Sequence, residues 1–554
     1  MTPIKKLLIV GGVAGGASAA ARARRLNEAA EIIVFERGPY VSFANCGLPY
    51  HLGGEIAERE SLLLHTPESL TARFGLDVRV NSEVQSIDRS AKTVRVFNSQ
   101  TGDTYDESYD ALILAPGAAP IRPPLPGLDH PRVFTLRTVP DLDKLMNAIT
   151  PDVKHVTVVG AGFIGLETVE ALRQRGLNAS LIERNTQVLT PLDAEMTAPL
   201  VRTLKAHGVE LLLGESLQSV DGGERLTLNL ESGRQLVTDL VVLAIGVNPE
   251  NQLARDAGLE IGITGGVYVD KQQHTSDPAI YAVGDAVEVR HVVNGKAVLL
   301  PLAGPANRQG RIAADVIFGR DADYRGSQGT AICKVFDLTA ASTGLNEKTL
   351  QAAAIPYQKL YLHGNDHASY YPGATMLSLK VLFDPASGKL LGAQAVGEKG
   401  VDKRIDVLAV ALQAGMSVDD LAEMELSYAP PYGSAKDPVN LAGMAAQNWR
   451  SGLLQLIQPE ELAADRSAAQ IIDVREPEEI ASGQIDGARN LPLSQLRSLS
   501  HLIDHTKPVV VYCMAGLRGY IAQRHLQQLG FQVRNLNGGF NTWQMWQQAN
   551  RVYP

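Results

Sequence analysis

The chain has few cysteines and no dense run of one charge or of apolar residues. Three cysteines among 554 residues are too few for a disulfide framework, so a reducing cytoplasm is the expected setting. The net charge is −9, and no lysine or arginine cluster is dense enough to follow a phosphate backbone, so we predict no nucleic-acid partner. No stretch approaches about 18 consecutive apolar residues, so we predict no membrane span.

Length and glycine content indicate several α/β domains. A prior of about 150 residues per domain predicts three or four domains for a chain of this length. The 51 glycines and the hydrophobic content of 45% are typical of an α/β protein with many tight turns. The apolar run near the N-terminus enters a glycine loop, which favours a buried strand over a signal peptide. We predict no metal site.

A first βαβ unit lies at the start of the chain. Residues 7–10 predict a buried parallel strand, a glycine loop follows, and after an alanine-rich helix a second strand ends at Glu36. Such glycines let the backbone approach a pyrophosphate at the helix N-terminus, and the acid binds ribose hydroxyls. Val13 replaces the second glycine of the pattern, so this match is imperfect. The predicted cofactor contacts are Gly11, Gly12, Ala14, Gly15, Gly16, Glu36 and Arg37.

A second βαβ unit repeats the pattern with a complete glycine match. Its predicted cofactor contacts are Gly160, Gly162, Phe163, Ile164, Gly165 and Glu183. Two such units in one chain predict two dinucleotides. A carboxylate at Glu183 favours NADH because it repels a 2′-phosphate, whereas the adjacent Arg184 weakens that preference and leaves NADPH as the alternative,.

Three further segments, at residues 111–117, 243–249 and 275–286, complete a pattern that resembles the pyridine nucleotide–disulfide oxidoreductase family from residue 4 to about 450. The resemblance implies an α/β fold with two Rossmann-like domains, FAD in the first and NAD(P)H in the second, and an α+β domain that makes a homodimer. It implies further cofactor contacts at Ser42, Asn45, Ala115, Pro116, Gly117, Gly246 and Asp285.

Cys46 lies where disulfide reductases of this family carry two cysteines, yet the next cysteine is Cys333. A redox-active Cys46 therefore needs a small-molecule sulfur partner or a sulfenic acid. The alternative is a small buried hydrophobic residue. The pattern around Cys46 resembles the single-cysteine branch, which contains NADH oxidases, NADH peroxidases and coenzyme A-disulfide or persulfide reductases. The first glycine loop lacks the histidine of the peroxidases, which favours the reductases.

Resemblance to the coenzyme A-disulfide reductases implies further site residues. Tyr370 and Tyr428 align with two tyrosines that reach the sulfur centre across the dimer, although Tyr371 or Tyr432 are alternatives and packing is the ordinary role of such aromatics,. Coenzyme A phosphates are expected at Arg22, Arg25, Asn307 and Arg311, with Ser42 and Asn45 as further substrate contacts. A solvated helix face is the alternative for each arginine.

The C-terminal residues resemble a single rhodanese domain of α/β fold. Cys513 lies between a strand end and a helix start, where loop N–H groups converge on an anionic sulfur,. The six residues from Cys513 to Arg518 leave a small pocket, suited to a terminal sulfur. We predict catalytic roles for both residues. A phosphatase of similar fold, with a loop longer by one residue, is the alternative.

The sequence predicts a fused enzyme. The expected domains are an FAD domain at residues 1–115 and 250–323, an NAD(P)H domain at 116–249, a dimerisation domain at 324–445, a linker at 446–457 and a rhodanese domain at 458–554. The expected reaction is NAD(P)H-dependent reduction of a persulfide, polysulfide or coenzyme A disulfide through a Cys46–coenzyme A mixed disulfide. A NADH oxidase or peroxidase and a flavin-state redox sensor are the alternatives.

Overall fold

The first βαβ unit forms a five-stranded parallel sheet whose two faces are both covered. Its strands lie in the order Ile280–Ala282, Ala111–Leu114, Lys6–Val10, Glu31–Phe35 and Asp77–Arg79. Alternate residues of the central strand enter different cores, Leu7 and Ile9 on one face and Leu8 and Val10 on the other. This double burial explains why the strand is apolar throughout rather than alternating.

Helices and a small antiparallel sheet surround this first sheet. The helices are Ala14–Leu26, Leu48–Gly53, Pro67–Phe74, Gln252–Asp256 and Ala303–Ile317, with short 3₁₀ turns at Asn45–Gly47, Arg59–Leu62 and Gly284–Ala286. The antiparallel sheet contains Ser82–Asp88, Thr93–Asn98 and Thr104–Ser108, and a separate ladder pairs Val289–Arg290 with Ala297–Val298.

The second βαβ unit builds a second parallel sheet. Its strand order is Val209–Leu213, Asn178–Glu183, His155–Val159, Leu240–Leu243 and Val133–Thr135. The helices Val139–Ala148 and Phe163–Gln174 and the antiparallel strands Leu217–Asp221, Leu226–Leu230 and Gln235–Thr238 accompany it. The chain enters and leaves this domain through a two-stranded antiparallel ladder of Ala118–Pro120 with Val247–Pro249.

The computed structural model describes residues 4–550. It divides into two units: the first contains the described residues up to Arg184 and Val209–Gly329, and the second contains Asn185–Gly208 and the described residues from Thr330 onwards. Within residues 4–550, no helix combines the length and the apolar character that crossing a bilayer requires.

The second unit contains an antiparallel five-stranded sheet. The strand order is Ala331–Val335, Leu338–Gly344, Leu390–Gly397, Met376–Phe383 and Gln358–Asn365. The accompanying helices are Ala194–Ala206, Glu347–Ala352, Val401–Gln413, Val418–Glu423 and Pro438–Arg450.

A third parallel sheet ends the chain. Its strands are ordered Leu456–Ile457, Val533–Leu536, Val509–Tyr512, Gln470–Asp473 and Arg489–Asn490. The helices are Pro459–Ala464, Leu496–Leu499, Leu517–Gln528 and Gly539–Ala549, with 3₁₀ turns at Arg466–Ala468, Pro477–Ser482 and Ser500–Leu502. Two apolar cores cover the two faces of this sheet, as in the first unit.

Candidate active site

The first glycine loop is shaped for close approach of the backbone. Gly11 has φ +99°, and a Cβ there would lie 2.1 Å from the Ala115 carbonyl oxygen. A Cβ at Gly16 would lie 1.8 Å from the Gly11 carbonyl oxygen. Only glycine fits these two positions, because any side chain would collide with rigid backbone. Val13 is the N-cap of the following helix, and no side chain caps it, so the first helical N–H groups face the loop.

Glu36 holds this loop from the end of the second strand. Its carboxylate accepts the Gly12 N–H and the Gly38 N–H, each at 2.9 Å. Burial of the Glu36 carboxyl raises its pKa, although the two backbone hydrogen bonds oppose that shift. The predicted neighbour Arg37 instead forms a two-point ion pair with Glu250.

One cleft collects many of the residues predicted to contact FAD. Arg137 also lines this cleft and donates to the Asp285 carboxylate at 2.8 Å. The predicted residues in its wall are Gly11, Ala14, Gly15, Glu36, Arg37, Asn45, Ala115, Pro116, Gly117 and Asp285. Gly12 and Gly16 instead pack beneath the loop, where added Cβ atoms would meet Val41 and Gly11.

The second glycine loop repeats the construction of the first. Glu183 accepts the Ala161 N–H at 2.8 Å, as Glu36 accepts the Gly12 N–H. A Cβ at Gly165 would lie 1.9 Å from the Gly160 carbonyl oxygen, whereas the space beside Gly162 is open. Gly162 begins the helix Phe163–Gln174 without a side-chain cap, and this helix starts with the predicted Phe163 and Ile164. Open backbone N–H groups at a helix N-terminus suit a pyrophosphate.

Gly246 directly precedes Val247–Pro249, one of the two strands of the connecting ladder. It adopts φ +110°, a conformation that favours glycine. Its carbonyl oxygen accepts the Ile121 N–H at 3.0 Å. The residue therefore shapes the return strand.

Cys46 lies on the 3₁₀ turn Asn45–Gly47, directly before the helix Leu48–Gly53. Its side chain is exposed, and its Sγ lies 3.6 Å from the Asn45 Oδ1 atom. Ser42 has φ +46° and donates its N–H to the Gly12 carbonyl oxygen at 2.8 Å. Ser42 thus ties the cysteine segment to the first glycine loop, whereas Asn45 contacts Cys46 itself.

The sequence analysis did not predict two residues, Glu167 and Arg137, whose charges act on the Cys46 thiol. Partial burial and the neighbouring Glu167 carboxylate raise the pKa of the Cys46 thiol, while Arg137 opposes them. Burial raises the pKa of Glu167 itself to about 7, and Tyr50 donates a hydrogen bond to that carboxylate at 3.1 Å. The sequence did contain a feature that could have identified Glu167, because it is an acidic residue early in the apolar helix after the second glycine loop.

The predicted coenzyme A contacts lie on two helices that pack against each other. A Cβ at Gly310 would lie 2.1 Å from the Gly15 carbonyl oxygen, so these helices approach closely. Arg22 binds the buried Asp315 at 2.5 Å, and Arg311 lies 3.9 Å from the same carboxylate. The side chain of Arg25 bonds only to its own helix among the bonds described, and Asn307 accepts from Ser18 at 2.6 Å.

The second unit brings together two of the four candidate tyrosines. The hydroxyl groups of Tyr370 and Tyr428 lie 2.9 Å apart, and this hydrogen bond raises the pKa of Tyr370. Both side chains are exposed in the single chain. Tyr371 instead contacts the ring of His367 edge-on. Tyr370 and Tyr428 are therefore the pair that can share one proton.

Cys513 lies in a strand-to-helix loop. Its Sγ accepts the Gly516 N–H at 3.1 Å, and the residue is 2% exposed. Arg518 donates two hydrogen bonds of 2.6 Å to Glu479, and these hold the pKa of Glu479 at about 2. The sequence analysis predicted Arg518 but missed Glu479, which stands in a charged turn 39 positions earlier.

Comparison with known proteins assigns the family. Residues 5–310 match the Pyridine nucleotide-disulphide oxidoreductase family, residues 330–438 match its dimerisation domain, and residues 458–545 match the Rhodanese-like domain. The chain belongs to the pyridine nucleotide-disulphide oxidoreductase family. The predicted fold class, with two Rossmann-like domains, an α+β dimerisation domain and a C-terminal rhodanese domain, is confirmed.

One related protein and two solved structures are similar to most or all of the chain. Coenzyme A disulfide reductase of Staphylococcus aureus (strain bovine RF122 / ET3-1) is 37% identical over 446 residues, which cover 80% of this chain and 100% of that protein. The structure of reduced Bacillus anthracis CoADR-RHD has a TM-score of 0.97 at 47% identity and covers 100% of both chains. The NAD-dependent persulfide reductase from A. fulgidus has a TM-score of 0.92 at 38% identity, covering 97% of this chain and 100% of that one.

The two loops fit the cofactors of this family, FAD and NAD(P)H. Each has glycines that no other residue can replace, an uncapped helix N-terminus and an acid at the end of the next strand. These features suit a dinucleotide pyrophosphate and ribose. The prediction of two dinucleotide cofactors is confirmed.

Proposed function

We propose that this chain is an FAD-dependent NAD(P)H reductase of coenzyme A persulfides, polysulfides or disulfides, with a rhodanese domain that carries sulfane sulfur. One observation carries the proposal. Cys46 is exposed and tied to the first nucleotide loop through Ser42, and no second cysteine lies near it in the sequence to resolve a disulfide. A small-molecule thiol is the sulfur partner that we propose for Cys46, with a sulfenic acid as the alternative.

The protein's part in the reaction is to position and protonate sulfur. A flavin held by the first glycine loop would supply the two-electron chemistry between nicotinamide and disulfide. Cys46 thiolate attacks the coenzyme-linked sulfur of a coenzyme A persulfide, which forms a mixed disulfide and expels hydrosulfide. Two electrons and one proton then return the Cys46 thiolate and free coenzyme A. Overall, one persulfide and one NADH give one thiol, one hydrosulfide and NAD⁺.

The tyrosine pair fits the proton transfer of this reaction. The chain has a family dimerisation domain, and we propose that it forms a homodimer in which Tyr370 and Tyr428 serve the partner's sulfur centre. A phenol in a hydrogen-bonded pair can donate a proton to a leaving thiolate. Arg25, Asn307 and Arg311 remain proposed contacts of the coenzyme A phosphates, together with Arg22, although Arg22 is already bound to Asp315.

The rhodanese loop supports a role in sulfur transfer rather than phosphate hydrolysis. The Gly516 N–H donates to the Cys513 sulfur, and Glu479 offsets the positive charge of Arg518 through a two-point ion pair. We propose that Cys513 carries a persulfide sulfur to or from the thiol substrate. A cytoplasmic location is also proposed, because the chemistry needs reduced thiols.

Mass spectrometry of the purified protein tests the central proposal. We expect a coenzyme A adduct on the peptide that contains Cys46, and we expect it to disappear after reduction with a thiol. Steady-state NADH consumption then separates the alternatives. Persulfide-dependent consumption supports the proposal, oxygen- or peroxide-dependent consumption supports an oxidase or peroxidase, and negligible consumption supports a redox sensor.

The nucleotide preference rests on Glu183. If its carboxylate reads the ribose hydroxyls, Glu183→Ala should raise the Michaelis constant for NADH by about tenfold, as expected for a hydrogen bond to a charged group, and change that for NADPH less. Equal changes for both nucleotides would show that Glu183 does not discriminate between them.

A further inference from the structure

A six-residue segment lies between the Cys513 loop and the dimerisation domain. We call residues 537–542 the bridging segment. On one side, Phe540 donates its N–H to the Cys513 carbonyl oxygen at 2.8 Å, and Asn541 donates to the Met514 carbonyl oxygen at 3.0 Å. A Cβ at Gly539 would lie 2.3 Å from the Cys513 carbonyl oxygen. The bridging segment therefore packs directly on the backbone of the loop that holds the catalytic sulfur.

The other side of the bridging segment contacts the strand Gln358–Asn365. The Asn537 side chain accepts the Tyr361 N–H at 3.1 Å and donates to the Lys359 carbonyl oxygen at 3.0 Å. The Thr542 hydroxyl lies 2.7 Å from the His363 Nε2 atom. This strand belongs to the dimerisation domain. The dimerisation domain therefore contacts the segment on which the Cys513 loop packs.

Burial makes these contacts necessary. Asn537 is 1% exposed and Thr542 is 0% exposed, and buried polar groups of this kind lose free energy without a partner. Burial of the imidazole lowers the pKa of His363 to about 4, so the ring is neutral at pH 7. One imidazole nitrogen accepts while the other donates, which allows bonds to both Thr542 and Ser378,.

The supporting strand is itself anchored by a buried cluster. Lys380, on the neighbouring strand, is 0% exposed and contacts the carboxylates of Asp193, Glu195 and Glu347. The Tyr361 hydroxyl donates to Glu195 at 2.9 Å. The Lys380 ammonium group thus lies among these three carboxylates. The Tyr361 hydrogen bond to Glu195 attaches the strand Gln358–Asn365 to this cluster.

We propose that the strand Gln358–Asn365 is part of the sulfurtransferase site, with Asn537 and His363 as positioning residues for the Cys513 loop. The proposal rests on the sulfur-transfer role given to Cys513 above. It places two residues of the dimerisation domain, Tyr361 and His363, in control of chemistry in another domain. It also means that the rhodanese domain works as a docked part of the second unit rather than as an independent module.

The test uses full-length, FAD-loaded protein. Asn537→Ala and His363→Leu should each lower kcat for sulfur transfer from thiosulfate to a thiol by about 10- to 100-fold, the cost of a displacement of about 1 Å at a reacting group. Both should shift the pH profile of Cys513 alkylation by iodoacetamide. Persulfide reduction at Cys46 should stay unchanged. His363→Gln, which can still bond to Thr542, should restore most of the activity.

A matched control separates positioning from docking in general. Glu460→Gln removes an ion pair with Lys359, 2.6 Å long, at the same domain boundary but without a contact to the bridging segment. We expect wild-type sulfur transfer and alkylation in this variant. A loss as large as that of His363→Leu would overturn the proposal, because the effect would then belong to the boundary as a whole.

Two further results would also overturn it. The first is wild-type sulfur transfer and alkylation in a folded His363→Leu protein; Thr542→Val decides the question in the same way if His363→Leu does not fold. The second is unchanged hydrogen exchange at the Phe540 and Asn541 amides in these variants. If the wild-type protein transfers no sulfur, the proposed function of Cys513 fails, and the alkylation and exchange measurements still decide whether the strand positions the loop.

Discussion

The two proposed catalytic cysteines lie in opposite surroundings. The residue Cys46 is exposed on a short turn, but its thiol is partly covered, and this desolvation together with Glu167 raises the thiol pKa. Cys513 is 2% exposed and receives the Gly516 N–H from its own loop. The difference shows that Cys513 has support for an anionic sulfur built into local backbone. We propose that Cys46 instead depends on groups brought to it from elsewhere, such as a cofactor, a substrate or the partner subunit's tyrosine pair.

The largest effect should come from Cys46→Ser. A serine hydroxyl is not ionised at neutral pH and forms no mixed disulfide, so persulfide reduction should fall by at least about 10³-fold. FAD should remain bound, because the glycine loop and Asp285 are untouched; absorbance of the flavin measures this. Near-normal NADH-dependent hydrosulfide release from a coenzyme A persulfide would contradict the mechanism through a Cys46 mixed disulfide.

Cys513→Ser should abolish the activity of the second cysteine and leave that of Cys46 intact. Transfer of sulfur from thiosulfate should disappear, because the loop then holds no thiolate to accept it. Reduction of free, small coenzyme A persulfides should survive, since Cys46 is unchanged. Hydrosulfide release with each donor measures both activities. Loss of both in a folded, FAD-loaded enzyme would make Cys513 an obligate part of the reductase site and contradict the division between the two cysteines.

Glu479→Gln should have a moderate effect, confined to the Cys513 site. The carboxylate fixes Arg518 with two hydrogen bonds of 2.6 Å, and the neutral amide can accept only part of that pair. We expect sulfur transfer to fall by about tenfold, because charge-assisted bonds contribute about 1.5–3 kcal/mol, while persulfide reduction stays constant. Kinetics of both reactions on one preparation provide the check, and an equal fall in both would point to general unfolding.

The smallest effect should come from Glu167→Gln. Above pH 7 the wild-type Glu167 carboxyl, with a pKa of about 7, is ionised and opposes the Cys46 thiolate; below pH 7 it is neutral and does not. The variant should therefore lower the pKa of Cys46 and raise its alkylation rate at pH 8, by less than about fivefold. Cys513 alkylation serves as the internal control. An unchanged Cys46 profile would show that the two groups do not interact.

Much of the architecture could be predicted because it depends on patterns of residues that lie close together in the sequence. Gly11 and Gly160 must be glycine to pass their neighbouring backbone, and the acids Glu36 and Glu183 end the next strands. Cys513 was equally readable, since a strand, a short loop and a helix define its surroundings within a few residues. Each of these features depends on residues close in sequence, where backbone geometry limits the choices.

The contacts to which we assign effects on reactivity lie between residues far apart in the chain. Tyr50 meets Glu167, Arg518 meets Glu479, and His363 meets Thr542, and none of these pairs follows from periodicity or spacing. The sequence by itself determined the number of nucleotide sites, the family and the positions of the two cysteines proposed as sulfur centres. Only the tertiary structure decided which carboxylate faces Cys46 and which strand supports the Cys513 loop, because packing of whole elements, rather than local backbone preference, brings such side chains together.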